Sequence, residues 1–358
     1  MKNFVVYLHS IWFTSRNLSR IQDSGKSFED FYATFSTKDL REIGVREEKI
    51  EKILENKKKL DSEKIDQLLE NLMVKVITPN DPKYPQNLKN LYTPPFVLYT
   101  RWNFEEKEFF GIVWTRKPTT YSEKIIKNFI PTLIENWLSI VSWWAYWVDS
   151  IAHKTALEND WYTVAVIWTW IDRNYPDINK ILYNEIVAKN WCVLSIFPLW
   201  TSPNAYNFPI RNEIIAGLSS WILVTEAWEK SGTLITAKLA LDLWKDVFVV
   251  PWDIFKKESA WINILIRNTM AKPVFSTEDI LEEYDIELGA KKSKELKEID
   301  FEDPIEQQIY ELLQKESLNS TEICQKLWME VWEIIYRLSV LEIWGFVRLE
   351  SSWEYNVL

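Results

Sequence analysis

From residue 110 to residue 251 short apolar runs alternate with longer amphipathic ones. The runs 110–115, 139–142, 163–167, 192–196, 221–226 and 246–251 are rich in Val and Ile, with charge only at their ends. Uninterrupted runs of that length are expected of strands buried on both faces. The segments 122–136, 148–159, 178–189, 210–218 and 233–243 lie between them and space their apolar residues as helices do. This alternation predicts an α/β fold, a doubly wound parallel sheet. Ligands of such sheets sit outside the carboxyl ends of the strands.

The flanks differ. Residues 1–75 read as a small helical domain. Ser27 before F-E-D-F, and Ser36 or Thr37 before K-D-L-R-E-I, have the form of helix N-caps, and Gly44 ends the second helix. Residues 46–72 are highly charged, with Ile50, Ile53, Leu54, Leu60, Ile65, Leu68 and Leu69 at near-helical spacing. A short strand, V-K-V-I-T-P, follows. The proline-rich stretch after it, to about residue 101, is an ordered lead-in to the central domain, which spans 76–285. Residues 286–303 form a charged linker of low hydrophobicity. Residues 304–358 run helix, helix, helix, hairpin, the order of a small winged helix.

Composition changes the picture sharply. The chain has 21 Trp and 7 Gly, whereas average usage, roughly 7% glycine, would give about 25. Tryptophans stand where an α/β protein turns. Trp143, Trp144 and Trp147 follow the strand 139–142, Trp114 ends the first strand, Trp168 and Trp170 follow the third, and Trp191 stands after a helix. Such turns ask for glycine, which alone tolerates φ > 0 and lets a ligand approach the backbone. One codon read as Trp is therefore expected to be Gly in the source organism, an alternative genetic code.

The net charge of −10 argues at first against a nucleic-acid partner, but its distribution matters more. Residues 1–109 hold 18 basic against 17 acidic side chains and 110–275 hold 16 against 15, so both can carry local basic patches. Residues 276–358 hold 8 against 20, a net −12. That segment repels phosphate, which favours a protein contact or packing role for the winged helix. No apolar run approaches the ~20 residues of a membrane span, and the N-terminus has no signal-peptide pattern. Cys192 and Cys324 share no metal spacing with His9 or His153, so they read as reduced core cysteines of a cytoplasmic protein with no metal and no cofactor.

Four stretches carry candidate chemistry. In V-W-T-R-K-P-T-T-Y-S a strand ends in a tight loop ahead of a helix. Backbone N–H groups there can hold a phosphate, with Arg116 and Lys117 touching a nucleic-acid backbone. The alternative is a solvated basic loop. The second is I-V-S-W-W-A-Y-W-V-D, followed by A-H-K. Asp149 and His153 make a weak acid–base pair, and a hydrogen bond on a helix surface is the better reading. In N-A-Y-N-F-P-I-R-N-E, Pro209 suits a first helical turn. Phe208 could offer a ring to a base or could be core, and Arg211 could reach a phosphate. In V-T-E-A-W-E-K-S-G-T-L-I-T-A, Ser231, Gly232 and Thr233 open a helix whose N-terminus suits an anion. No Walker A loop is present, even with Trp read as Gly.

With Trp read as Gly these stretches resemble the DNA-processing protein A family (DprA, also called Smf). The matching strings are G-T-R-K-P-T-x-Y, I-V-S-G-G-A-x-G-V-D-x-x-A-H-K, V-I-G-T-G-I-D, F-P-x-R-N-x-I-I-A-G-L-S, E-A-x-x-K-S-G-T-L-I-T-A and V-F-V-V-P-G. The resemblance covers about three quarters of the chain. It implies an extended Rossmann-like domain that binds single-stranded DNA, protects it and delivers it to the RecA recombinase in natural transformation. The protein it implies is a homodimer and not an enzyme, with a SAM-like N-terminal domain. Carried onto matching positions, it implies that Arg116, Lys117 and Arg211 grip phosphates. Ser142, Trp143, Trp144 and Trp147, with Ser231, Gly232 and Thr233, line the pocket. Phe208 stacks near a base, and Asn212 holds the F-P-I-R-N turn. Two basic positions of the pattern are lost here, to Ala205 and Glu213, so weaker binding is expected. The alternative is a Rossmann-like nucleotide-binding enzyme of the nucleoside-monophosphate phosphoribohydrolase type. It is disfavoured because L-I-T-A, with no carboxylate, follows Ser231-Gly232-Thr233.

Overall fold

Alternation along each strand decides the layering, because successive side chains leave a strand on opposite faces. In the computed structural model the described residues are 3–114, 119–144, 148–171, 180–189, 191–202, 204, 206–227, 232–256, 260–283, 303–313, 318–343, 346–349 and 355–357. They group into two units, 1–289 and 290–358.

The first unit opens with six helices: α1 (Phe4–Ser10), α2 (Ser15–Asp23), α3 (Phe28–Thr34), α4 (Thr37–Glu42), α5 (Glu47–Lys59) and α6 (Ser62–Asn71). Ser27 and Ser36 cap α3 and α4 through hydrogen bonds from the N–H groups of Asp30 and Asp39. The charged stretch 46–72 forms two helices, α5 and α6. Asp61 accepts from the Lys64 N–H and starts α6, so the apolar stripe is interrupted at Leu60.

The strands are β1 (Val74–Ile77), β2 (Leu98–Arg101), β3 (Phe109–Val113), β4 (Ser139–Trp143), β5 (Thr163–Val166), β6 (Cys192–Ser195), β7 (Trp221–Val224), β8 (Val247–Val249) and β9 (Lys272–Pro273). The helices among them are α7 (Thr120–Glu135), α8 (Val148–Glu158), α9 (Lys180–Ala188), α10 (Asn207–Leu218), α11 (Gly232–Asp242), α12 (Ala260–Arg267) and α13 (Glu278–Glu283). Among the described residues the strands form one nine-stranded sheet in the order β1-β2-β6-β5-β4-β3-β7-β8-β9. From β6 to β9 every pairing is parallel, while β1–β2 and β2–β6 are antiparallel. All six runs expected as strands are strands, and the doubly wound α/β architecture holds. The proline-rich lead-in holds a strand that its pattern did not announce. β2 follows Pro94-Pro95 and seats itself between β1 and β6.

Phe110, Ile112, Ile140, Leu223 and Phe248 face one side and pack with Ile126, Ile130 and Leu133 of α7, Ala152 and Ala156 of α8, and Ile280 of α13. Phe109, Val113, Val141, Ile222, Val224, Val247 and Val249 face the other, with Ile214 and Ile215 of α10, Ala237 of α11 and Ile262 of α12. The N-terminal helices share this second core through Leu8, Leu18, Leu40, Ile53 and Ile65. Gly111 is needed where α10 ends against β3, because a Cβ there would lie 2.3 Å from Ser219 Oγ.

The second unit is α14 (Pro304–Leu313), α15 (Ser320–Leu327) and α16 (Val331–Ile343), then the antiparallel pair β10 (Val347–Leu349) and β11 (Tyr355–Val357). Ile309, Ile323, Ile334, Leu338, Leu341 and Val347 form its own core. Three helices and a hairpin are the order expected of a winged helix. Cys192 and Cys324 are both buried and form no disulfide. Among the described residues no helix is long and apolar enough to cross a membrane.

Candidate nucleic-acid interface

Three neighbouring parallel strands end side by side: β3 at Trp114, β4 at Trp143 and Trp144, and β5 just before Trp168. The first turns of α10 lie over these ends. Asn207 Nδ2 donates to the Trp168 carbonyl at 3.0 Å. The Phe208 ring stacks on Trp168 with centroids 4.1 Å apart. The Arg211 guanidinium sits 5.2 Å from the Phe208 ring centre and 5.3 Å from that of Trp143. One residue on, Asn212 Nδ2 donates to the carbonyl of Gly232, the first residue of α11, at 3.2 Å. Trp143, Phe208, Arg211, Asn212 and Gly232 thus form one contiguous cluster, and Arg211 and Asn212 are both almost fully buried within it.

The other expected site residues fall as follows. Ser142 is buried and its hydroxyl donates to the Ile112 carbonyl at 2.7 Å, a bond between β4 and β3. Trp144 is buried against His153 and Tyr183. Thr233 is fully buried in the first turn of α11. A Cβ on Gly232 would meet Asn212 Nδ2 at 3.5 Å, an ordinary contact, so space alone does not require glycine there. Arg116, Lys117, Trp147, Ser231 and Ala205 lie outside the described residues.

The order of strands reverses at β3, which has β4 on one side and β7 on the other. Crevices at such points are where open α/β sheets hold ligands. Glu226, just past β7, is fully buried there. Its carboxylate accepts the Thr119 hydroxyl and, at 3.1 Å, the Thr119 N–H. Thr119 in turn caps α7 by accepting the Tyr121 N–H, and the Ser122 and Thr225 hydroxyls meet at 2.9 Å. This clamp fixes Thr119 directly ahead of α7. Burial, with Glu226 nearby, also raises the Tyr121 phenol above its ordinary pKa. Glu226 and Thr119 had no role assigned from the sequence. The available signal was a carboxylate closing an apolar strand in V-T-E.

His153 corrects a second reading. It is not on a helix surface but fully buried, with Nδ1 2.8 Å from Thr163 Oγ1 and Nε2 3.2 Å from the Trp143 carbonyl. Burial holds its pKa down at about 4, so it is neutral at pH 7 and ties α8 to β4 and β5. A cleft of about 690 Å³ opens beside α10, lined by Trp12, Lys59, Lys64, Trp200 and Asn207 among others. Among the described residues no cluster of His, Cys, Asp and Glu could hold a metal ion.

A sequence profile of the DNA recombination-mediator protein A family matches residues 75–285, from β1 through α13. The chain belongs to that family. It is 40% identical over 181 residues to protein Smf of a Synechocystis strain, an alignment covering 49% of this chain and 45% of the relative. It is 34% identical over 213 residues to the DNA processing protein DprA of Bacillus subtilis, covering 59% and 71%. The chain thus spans under half the length of the first relative and somewhat over two thirds of the second. The X-ray structure of DprA from Streptococcus pneumoniae superposes with a TM-score of 0.68 at 30% identity, covering 79% of this chain and 98% of that one. A DNA processing protein A from Helicobacter pylori, described for its single-stranded DNA binding mode, gives 0.53 at 25% identity, covering 60% and 96%. Every motif quoted for the family resemblance lies within the matched residues.

Proposed function

We propose that the chain binds single-stranded DNA at the carboxyl ends of β3, β4 and β5, shields it and hands it to a RecA-type recombinase during natural transformation. In this reading it works in the cytoplasm as a homodimer, by binding rather than by catalysing a reaction. Arg116 and Lys117 contact the phosphate backbone ahead of α7. Arg211, held over Phe208 and Trp143, supplies a planar, permanently charged donor for phosphate oxygens. Phe208 offers a ring to a base, and Asn212 holds the start of α10 against α11. The observation that carries the reading is the position of Arg211. It is a nearly buried cation at the strand ends of a family member, and the Helicobacter relative's binding to single-stranded DNA supports the choice of ligand.

The test is fluorescence anisotropy of labelled oligo-dT against the full chain and its Arg116→Ala and Arg211→Lys variants. Tight binding weakened by either variant supports the reading. Equal affinity in all three removes both arginines from the interface. Release of ribose 5-phosphate from AMP by the same preparation would move the function to the nucleotide-hydrolysing class.

A further inference from the structure

Nine non-glycine residues among those described have φ between +52° and +81°, and six are tryptophan: Trp12, Trp102, Trp137, Trp200, Trp244 and Trp328. This left-handed region presses Cβ against the following carbonyl, and a bulky side chain there is an outlier.

Hydrogen bonds define the setting at three of the six. After α1, Trp12 N–H donates to the His9 carbonyl and Phe13 N–H to that of Leu8. After α7, Trp137 N–H donates to Ile134 and Leu138 N–H to Leu133. After α11, Trp244 N–H donates to Leu241 and Lys245 N–H to Ala240. The same pair of bonds closes α4 at Gly44, from Gly44 N–H to Arg41 and from Val45 N–H to Leu40, with φ +78°. This is the two-bond helix ending in which glycine is the usual residue. Tryptophan and glycine thus fill one backbone role in this chain. Three of these indoles are mostly in solvent: Trp137 is 75%, Trp244 98% and Trp328 93% exposed.

A second, independent set lies at the strand ends. Trp114, Trp143, Trp144, Trp168 and Trp170 are buried there. The indole N–H groups of Trp143 and Trp170 are enclosed without a hydrogen-bond partner, whereas a buried indole N–H ordinarily finds one. Trp143 and Trp168 also cover Arg211 and Phe208, the two side chains that a strand of DNA would need to reach.

We infer that these eleven positions are glycine in the source organism, through one codon read there as glycine, and that the native chain has an open phosphate-binding pocket where five indoles now sit. With 7 Gly and 21 Trp, the pair totals 28 residues, close to the roughly 25 glycines of average usage. The pocket half of the inference rests on the proposed DNA binding, and the decoding half does not.

Peptide mass spectrometry of the protein isolated from its own organism tests the decoding directly. Glycine at 12, 137, 143, 144 and 244 is expected, and tryptophan at those positions overturns the inference. In parallel, two full-length chains are produced in an ordinary host, one as written and one with Trp12→Gly and its ten counterparts. The glycine chain is expected to melt at a higher temperature. It is also expected to bind oligo-dT roughly ten-fold more tightly, the gain from about one recovered charge-assisted phosphate contact. A glycine chain that melts no higher counts against the decoding. One that melts higher and binds oligo-dT only as tightly as the chain as written leaves the decoding in place and overturns the pocket; if neither chain binds oligo-dT, the DNA reading falls as well.

Discussion

Glu226 shows how much one side chain can fix. Its carboxylate is fully buried and takes both donors of the half-buried Thr119, so Glu226→Ala removes two hydrogen bonds to a charged acceptor at the start of α7. A loss of about 1–3 kcal/mol is expected, read as a lower urea midpoint, with Glu226→Gln recovering part of it. On the DNA side, Arg116→Ala should weaken oligo-dT binding by about 1–3 kcal/mol and lower the salt slope by about one. Glu213 stands where the family pattern carries a basic residue. Burial raises its carboxyl pKa, and its charge opposes phosphate, so Glu213→Gln should tighten oligo-dT binding. An unchanged Kd would separate that residue from the interface. Phe208, Arg211 and Asn212 were legible in the sequence because they sit in one short motif. The Glu226–Thr119 clamp was not, because its partners are 107 residues apart and meet only once β7 and β3 pair.

At the scale of elements, α10 illustrates how helix ends are satisfied. Lys245, at the end of the loop after α11, donates its ammonium group to the carbonyls of Ala216, Gly217 and Ser219 at the C-terminus of α10. That end otherwise has unpaired carbonyls and the negative pole of the helix. Replacing Lys245 by Met keeps the stem but leaves them unmet, and a loss of about 1–3 kcal/mol is expected in urea unfolding. Strands β3 to β8 were readable because each is an apolar run buried on both faces. The α5–α6 break was blurred because charge runs unbroken through 46–72, and only the Asp61 cap marks it. β2 was hidden because Pro94 and Pro95 mask the start of a four-residue strand whose partners are distant in sequence.

For the whole molecule, two buried histidines make stability depend on pH. Burial lowers His9 and His153 from 6.5 to about 4. The unfolded chain takes up these protons near pH 6.5 and the folded chain only near 4, so the unfolded state binds more protons between the two. Their contribution is complete above pH 6.5 and is lost as the pH falls towards 4, by about 3 kcal/mol for each imidazole over that interval. Urea unfolding at pH 7 and pH 5 should show the fall, and His153→Gln should flatten it. The doubly wound architecture, helices on both faces of one sheet, was legible from alternation alone. The joining of the N-terminal helices to the sheet's second core was not, because their apolar stripes do not say which surface they cover.

β2 lies between β1 and β6, and its antiparallel pairing with Val193, Leu194 and Ser195 uses the flank of β6 that faces away from β5. A chain cut just upstream of Phe109 would keep every parallel strand, yet it would leave β6 with a row of open peptide groups on an apolar ribbon. Such a margin recruits strands from other molecules. The lead-in segment therefore seals that edge against strand-to-strand pairing between molecules, and trimming this protein to its parallel core invites aggregation.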